Sequence, residues 1–299
     1  MNGIINVLKP TGITSHGVVS FIRKNLNMKK VGHTGTLDPN AAGVLPICVG
    51  KATKVSQFLL DKKKRYRAEL TLGKETDTQD KSGNVINEAK VNVKESDIIK
   101  AFDKFRGNIF QTPPMFSALK HKGKKLYELA REGKTIERKP RKITIYDLDI
   151  LNIEGNKVLF DVECSKGTYV RTLCDDIGKE LGTYGYMSVL IRTKVDMFEI
   201  DEALTFEEIK EAAESNRIDD ILLPMDMALT QYDKIELNDE NYKIISNGGR
   251  VSLRNTLITN NQFNLNDKFR VYCMDSFIGI GIIKDYENNY YLKMDKVLL

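Results

Sequence analysis

Tryptophan is absent from this chain, and histidine occurs only three times, at His16, His33 and His121. A multi-histidine metal centre is therefore nearly excluded. The four cysteines, Cys48, Cys164, Cys174 and Cys273, form no CxxC pair, and each has apolar neighbours within two residues. They read as small buried hydrophobes of a reducing compartment, not as disulfides or metal ligands. No apolar run reaches the roughly 18 residues that a membrane span needs. The start, MNGIINVLKPTG, lacks the charged lead and apolar core of a secretory signal, so a cytoplasmic location is expected. GxxxxGK[ST] and GxSxG motifs are also missing. The acidic run Asp77–Asp80 lacks the alternating ligands of a calcium loop. There is no internal repeat and no low-complexity segment. What remains is carboxylate chemistry, with no metal and no cofactor expected.

What is present is unevenly spread charge. The net charge is +5 over 299 residues. Residues 61–67 (DKKKRYR) carry +4 and residues 119–142 carry +7, so the rest of the chain sums to −6. Two basic patches on an otherwise acidic chain suggest a polyanionic partner. Either patch alone would also suit a solvated lysine-rich face.

One loop stands out, Val31 to Gly50 (VGHTGTLDPNAAGVLPICVG). Gly32, Gly35 and Gly43 allow backbone angles closed to other residues. Pro39 pushes Asp38 toward an extended backbone, and an Asp side chain bonds nearby turn amides. VLPICVG then reads as a short buried strand. A single acid thus sits on a tight loop just before the core, where a scaffold can present a reactive group. A structural Asp turn is the alternative.

Around this loop the pattern is α+β. Residues 3–8 read as a strand, and Thr14 or Ser15 caps a helix to about Asn27. Lys51 to Leu60 begins another helix, and a strand runs from about Tyr66. Ser96 caps a helix carrying Ile98, Phe102 and Phe105. Residues 111–120 are irregular because of two prolines, and a short helix near 126–132 ends at Gly133. Residues 143–153 and 157–165 form a hairpin. Val170, Leu173, Ile177 and Leu181 keep helical spacing, ended by Gly182. Thr205 and Glu208 form a capping box. From about residue 228 short strands at 268–274, 277–284 and 290–295 indicate a small β domain. The expected division is 1–228 and 229–299, with a basic insertion at about 111–142.

GHTGTLDPNAAGVLP closely resembles the catalytic motif of the TruB family of tRNA pseudouridine synthases, in which the Asp of TLDP is the nucleophile; here it is Asp38. KRYR at 64–67 resembles the segment whose Tyr stacks on uracil and is the favoured proton-abstracting base, here Tyr66. Lys64 and Arg65 beside it would hold phosphates. SKGTYVRTLCDDIG resembles the motif whose Arg pairs with the catalytic Asp and whose Tyr lines the pocket, here Arg171 and Tyr169. An arginine there would favour the charged carboxylate. The resemblance assigns His33 to the substrate RNA and Leu190 to an apolar pocket position. NVLKPTGITS matches the family's KPxGxTS motif. QTPPMFSALKHKGKKLYELAREG matches its RNA-gripping insertion, with Lys120, Lys122, Lys124 and Lys125 as contacts.

The fold so implied is a mixed, mainly antiparallel sheet with flanking helices, followed by a small RNA-binding PUA-like β barrel. The implied reaction converts the T-loop uridine of tRNA to pseudouridine by base flipping. The T-arm is the partner, and no cofactor, guide RNA or membrane takes part. A monomer is the default. The sequence leaves open whether Asp38 attacks uracil C6 or ribose C1′. Leu8, Gly17 and Asp196 depart from the family pattern, the last replacing a common Gly in RTxxGxF. A non-catalytic tRNA-folding protein, an RNA hydrolase using His33 and Asp38, and a guide-dependent relative are the rivals.

Overall fold

The computed structural model describes residues 1–253, 263–286 and 289–299. Its main body is a nine-stranded sheet. The first strands are β1 (Gly3–Lys9), β2 (Val31–His33), β3 (Ala42–Val49) and β4 (Lys64–Leu72). β5 (Lys74–Thr76) and β6 (Val85–Glu88) form a separate hairpin before β7 (Gly107–Gln111). β8 (Lys120–His121) and β9 (Lys124–Lys125) form a second small hairpin. β10 (Arg141–Glu154), β11 (Lys157–Cys164), β12 (Gly185–Val195) and β13 (Phe198–Glu199) complete this part. Across the sheet the order is β1, β3, β12, β4, β11, β10, β7, with β2 on β3 and β13 on β12. The β12–β3 pair is parallel, and the others in this sheet are antiparallel.

Side chains alternate across a strand, and β4 shows the result. Tyr66, Ala68, Leu70 and Leu72 join one core with Leu148, Phe160 and Leu190 from neighbouring strands. Helices α3 (Glu95–Asp103) and α5 (Val170–Glu180) close that core with Ile98, Phe102, Leu173 and Ile177. Arg65, Arg67 and Glu69 point to the opposite face, where each meets a charged partner. A second core lies between β1, β3, α1 (Ser15–Asn25) and α6 (Phe206–Glu214).

Local signals decided most helix ends. Thr14 Oγ1 accepts from Gly17 N at 2.9 Å, so Thr14 and not Ser15 caps α1. The capping box at Thr205 and Glu208 is present in both directions, at 3.2 and 2.7 Å. The helix expected from Lys51 is instead a 3-10 turn over Gly50–Lys54 and then α2 (Ser56–Leu60). Ser96 is not a cap: α3 starts one residue earlier, and the Lys94 amide donates to the Asp97 carboxylate at 3.2 Å. α4 (Leu126–Arg131) ends at Gly133 (φ 72°), as expected.

The C-terminal part is a five-stranded sheet in the order β14 (Asp233–Leu237), β16 (Lys268–Cys273), β17 (Ser276–Tyr286), β18 (Asn289–Val297), β15 (Arg250–Ser252). Among the described residues its strand pairs do not close into a ring. It packs on the main body through Ile280 and Leu298, which share a core with Ala52, Val55 and Leu59. Ala228 and Leu229 are buried in the same cluster.

Candidate active site

Three residues of the KPTGITS segment hold the Asp38 loop. Lys9, at the end of β1, is fully buried, and its Nζ donates to the carbonyls of Pro10, Pro39 and Ala41 at 2.8, 3.2 and 2.6 Å. Burial lowers its pKa to about 8; the Asp38 charge opposes this and Arg192 adds to it. Gly12 N donates to Pro39 O at 2.9 Å, and Gly12 has φ 84°, which a glycine adopts without strain. Ser15 is freed from capping for another task. Its Oγ donates to Leu37 O and accepts from Leu37 N, at 3.0 and 2.8 Å. The loop backbone is thus fixed on both sides of Asp38, which holds its carboxylate in one place.

That carboxylate meets Arg171 in the first turn of α5, with Nε 3.0 Å from Asp38 Oδ2. The other two guanidinium nitrogens donate to Thr78 O at 3.1 Å and Phe116 O at 3.0 Å. Asp80 Oδ2 lies 3.8 Å from Nη1. The Asp80 carboxylate is itself held by Thr78 Oγ1 and Ser82 N, both at 2.9 Å. The Arg171 side chain is 6% exposed and the Asp38 side chain 40%. A dry, fully bonded cation therefore orients a carboxylate that a substrate can still reach. Such a group suits nucleophilic work without a metal.

Tyr66 of β4 packs against the core that contains Leu37, Ala41 and Leu190. Burial pushes its phenol up from the ordinary value, while the nearby Arg192 guanidinium opposes that. The aromatic face, the loop acid and the arginine thus converge from β4, the β2–β3 loop and α5.

Residues 23–170 match the family model for the N-terminal domain of TruB family pseudouridylate synthases. Residues 171–230 match the model for the tRNA pseudouridylate synthase B C-terminal domain. A protein of Alkaliphilus oremlandii called tRNA pseudouridine synthase B is 52% identical over 299 residues, covering 100% of this chain and 99% of its own. One of the same name from Clostridioides difficile is 48% identical over all of both chains. The chain belongs to the TruB family. A chain in a solved Cbf5–Nop10–Gar1 complex matches with a TM-score of 0.76 at 29% identity, covering 99% of this chain and 85% of that one. A chain of an H/ACA ribonucleoprotein bound to a substrate RNA matches with the same score at 27%, with the same coverage.

The remaining residues singled out by the TruB motifs are placed as follows. Leu190 is 8% exposed on β12, beside Ala68 of β4 and in the core that includes Tyr66. His33 ends β2, and its Nδ1 accepts from Gly35 N at 3.3 Å. Burial, then Arg192 and His16, lower its pKa, so it is neutral near pH 7. Tyr169 precedes α5, and Gln111 clamps its backbone: Tyr169 N donates to Gln111 Oε1 at 2.8 Å, and Gln111 Nε2 donates to Tyr169 O at 3.1 Å. Asp196 has φ 54°, the left-handed region that explains a glycine at this place, and its carboxylate pairs with Lys62 Nζ at 3.0 Å.

One expectation needs correction. Lys64 does not face a phosphate. It is 8% exposed, and its Nζ donates to Leu60 O and Lys62 O, both at 2.7 Å, capping the end of α2. Arg65 follows Lys64 and precedes Tyr66, so alternation turns it to the far face of the sheet, 3.9 Å from Asp147. That face is laced with pairs: Lys63–Glu163, Arg67–Asp161, and Arg106 with Asp147 and Asp149. In the insertion, Lys122 and Gly123 both have positive φ, forming the tight tip of the β8–β9 hairpin. Lys120, Lys122 and Lys124 are exposed there. Lys124 also reaches Glu132 at 3.2 Å, and Lys125 is half-buried against Tyr127.

Sequence reading missed Lys9, Thr78, Asp80, Gln111, Phe116 and Arg192. Lys9 lay inside a recognised motif but was given no role. Asp80 was weighed only as a cation ligand. The Thr78 and Phe116 contacts are made by carbonyls, which side-chain identity does not encode.

Proposed function

We propose that this chain is a stand-alone tRNA pseudouridine-55 synthase. The observation that carries the reading is the Asp38–Arg171 pair: an accessible carboxylate on a braced loop, bonded to a buried arginine. The target uridine flips out of the T-loop, stacks on Tyr66, and is bounded by Leu190 and Tyr169. The neutral His33 fills the space left in the RNA. Asp38 attacks the nucleoside at uracil C6 or ribose C1′, the N1–C1′ bond breaks, the uracil turns, C5 bonds to C1′, and the bond to Asp38 breaks to return the free carboxylate. Tyr66 takes the C5 proton and N1 ends protonated, so the reaction needs no redox or energy input. Lys120, Lys122 and Lys124 hold the T-arm backbone, and residues 229–299 act as a second RNA-binding unit beside the catalytic part at 1–228. The protein acts as a monomer in the cytoplasm, a compartment that suits its four buried thiols.

The similarity to chains of H/ACA assemblies supports a second reading, in which guide RNA and partner proteins are required. Identity of 48–52% over full length to relatives called tRNA pseudouridine synthase B favours the stand-alone form. The test uses the purified chain and an unmodified tRNA transcript with tritium at uridine C5. Wild type should release tritium from intact RNA without other proteins, and Asp38→Asn should bind the tRNA normally and release none. Binding without release by wild type would move the reading to a guide-dependent or tRNA-folding protein.

A further inference from the structure

Arg192 of β12 is 1% exposed and heads the largest fully buried side chains. Its Nε donates to Val44 O at 2.8 Å and its Nη2 to Gly35 O at 3.3 Å, which lie on the two flanks of the Asp38 loop. In the β12–β4 ladder it stands directly across from Tyr66. On its other side it pairs with Gly43, where a Cβ would come within 2.2 Å of Arg192 O. Directly opposed residues of neighbouring strands point to the same face, so the Tyr66 ring and the Arg192 side chain leave the sheet on one side. Among the described residues no carboxylate forms an ion pair with Arg192, whereas Arg171 has Asp38. A buried cation held by carbonyl dipoles alone is costly. It is best accommodated where negative charge develops next to it during a reaction.

We propose that Arg192 is a positioning residue that locks Tyr66 to the Asp38 loop and supplies the charge facing the Tyr66 oxygen while the C5 proton is removed. This deepens the proposed function and rests on Tyr66 as the group that takes that proton. Tyr66 passes its hydroxyl proton to uracil N1. The resulting phenolate sits against Arg192 and then accepts the proton from C5. Protons balance, and no further reactant is consumed. Gly35 is held by the same guanidinium, so loop and base keep a fixed separation as the uracil turns.

The experiment compares full-length wild type, Arg192→Lys, Arg192→Met and Tyr66→Phe on tRNA transcripts carrying protium or deuterium at uridine C5. Single-turnover rate, tRNA affinity and thermal unfolding are measured for each. Arg192→Met should retain tRNA affinity, slow turnover about 100-fold, the low end of general acid–base contributions, and show a larger C5 isotope effect than wild type. Arg192→Lys, which keeps the charge and loses the fork, should fall between the two. A rate loss matched by loss of affinity, or one without an increased isotope effect, would overturn the assignment and leave Arg192 as a strand buttress. If Arg192→Met does not fold, Arg192→Lys decides by the same isotope criterion. Wild-type turnover by Tyr66→Phe would defeat the underlying base role. A slow Tyr66→Phe with an increased isotope effect, beside Arg192 variants with none, would defeat only the role of Arg192.

Discussion

Arg171→Lys isolates what the guanidinium fork does beyond carrying charge. The arginine serves three acceptors in different directions: Asp38 Oδ2 at 3.0 Å, Thr78 O at 3.1 Å and Phe116 O at 3.0 Å. A lysine ammonium is a single point and cannot span acceptors spread around a plane. If it stays with Asp38, two carbonyls lose their donor, at about 1–3 kcal/mol for each that water cannot reach. If it moves to a carbonyl, Asp38 loses a charge-assisted bond of about 1.5–3 kcal/mol. The second loss falls on the reacting group and slows the chemical step by about 10- to 100-fold. Asp38 is 40% exposed, so water solvates the released carboxylate and its own stability cost is small. Tritium release under single turnover reads the rate, filter binding reads affinity, and urea unfolding reads stability. The expected pattern is a slow enzyme with unchanged tRNA affinity and a urea midpoint shifted modestly down. Wild-type turnover in Arg171→Lys would refute the argument that orientation matters here.

Lys9→Met removes the donor that joins the Pro10, Pro39 and Ala41 carbonyls. It should cost about 2–4 kcal/mol, less the relieved desolvation of the ammonium, and lower turnover as the Asp38 loop loosens; urea midpoints and tritium release check both. Asp176 of α5 gives a pH effect. Burial, reinforced by Asp175 and opposed by Lys179, raises its pKa from 3.8 to about 6. Because the folded value lies above the unfolded one, this group's stabilisation is complete at low pH and is lost as pH rises through 6. Asp176→Asn should therefore be more stable than wild type by about 1–3 kcal/mol at pH 7.5. Roughly half of that gain should remain at pH 5, which paired urea titrations would show. Replacing Lys120, Lys122 and Lys124 together by Gln should weaken tRNA binding at low salt and flatten the salt dependence by about two to three counterions; an unchanged slope would remove the hairpin from the RNA interface.

How far the sequence could be read follows from range of interaction. α1, α4, α6 and the β10–β11 hairpin are set by caps, glycines and alternation within a dozen residues, and these were legible. Asp38, Tyr66 and Arg171 were singled out by resemblance to the TruB motifs, and the structure sets Asp38 against Arg171. Ser96 failed because an Asp97–Lys94 contact offered a competing start. The burial of Lys64 and the facing of Arg65 were not legible because a basic run looks uniform in sequence, whereas a strand sends its members to opposite faces. Arg192 stood in the RTxxGxF match without a role, because its partners, Gly35 and Val44, lie 157 and 148 residues away.

The ion pairs on the far face of the main sheet bear on how a long polyanion first meets this protein. Lys63, Arg67 and Arg106 each face an acid within 4 Å, so their fields cancel a short distance into solvent. The insertion hairpin instead clusters lysines at an exposed tip. For the RNA contact proposed above, the hairpin tip supplies the long-range attraction and the ion-paired face supplies little. On that proposal the rate of productive encounters depends on the contrast between these two regions more than on the total charge.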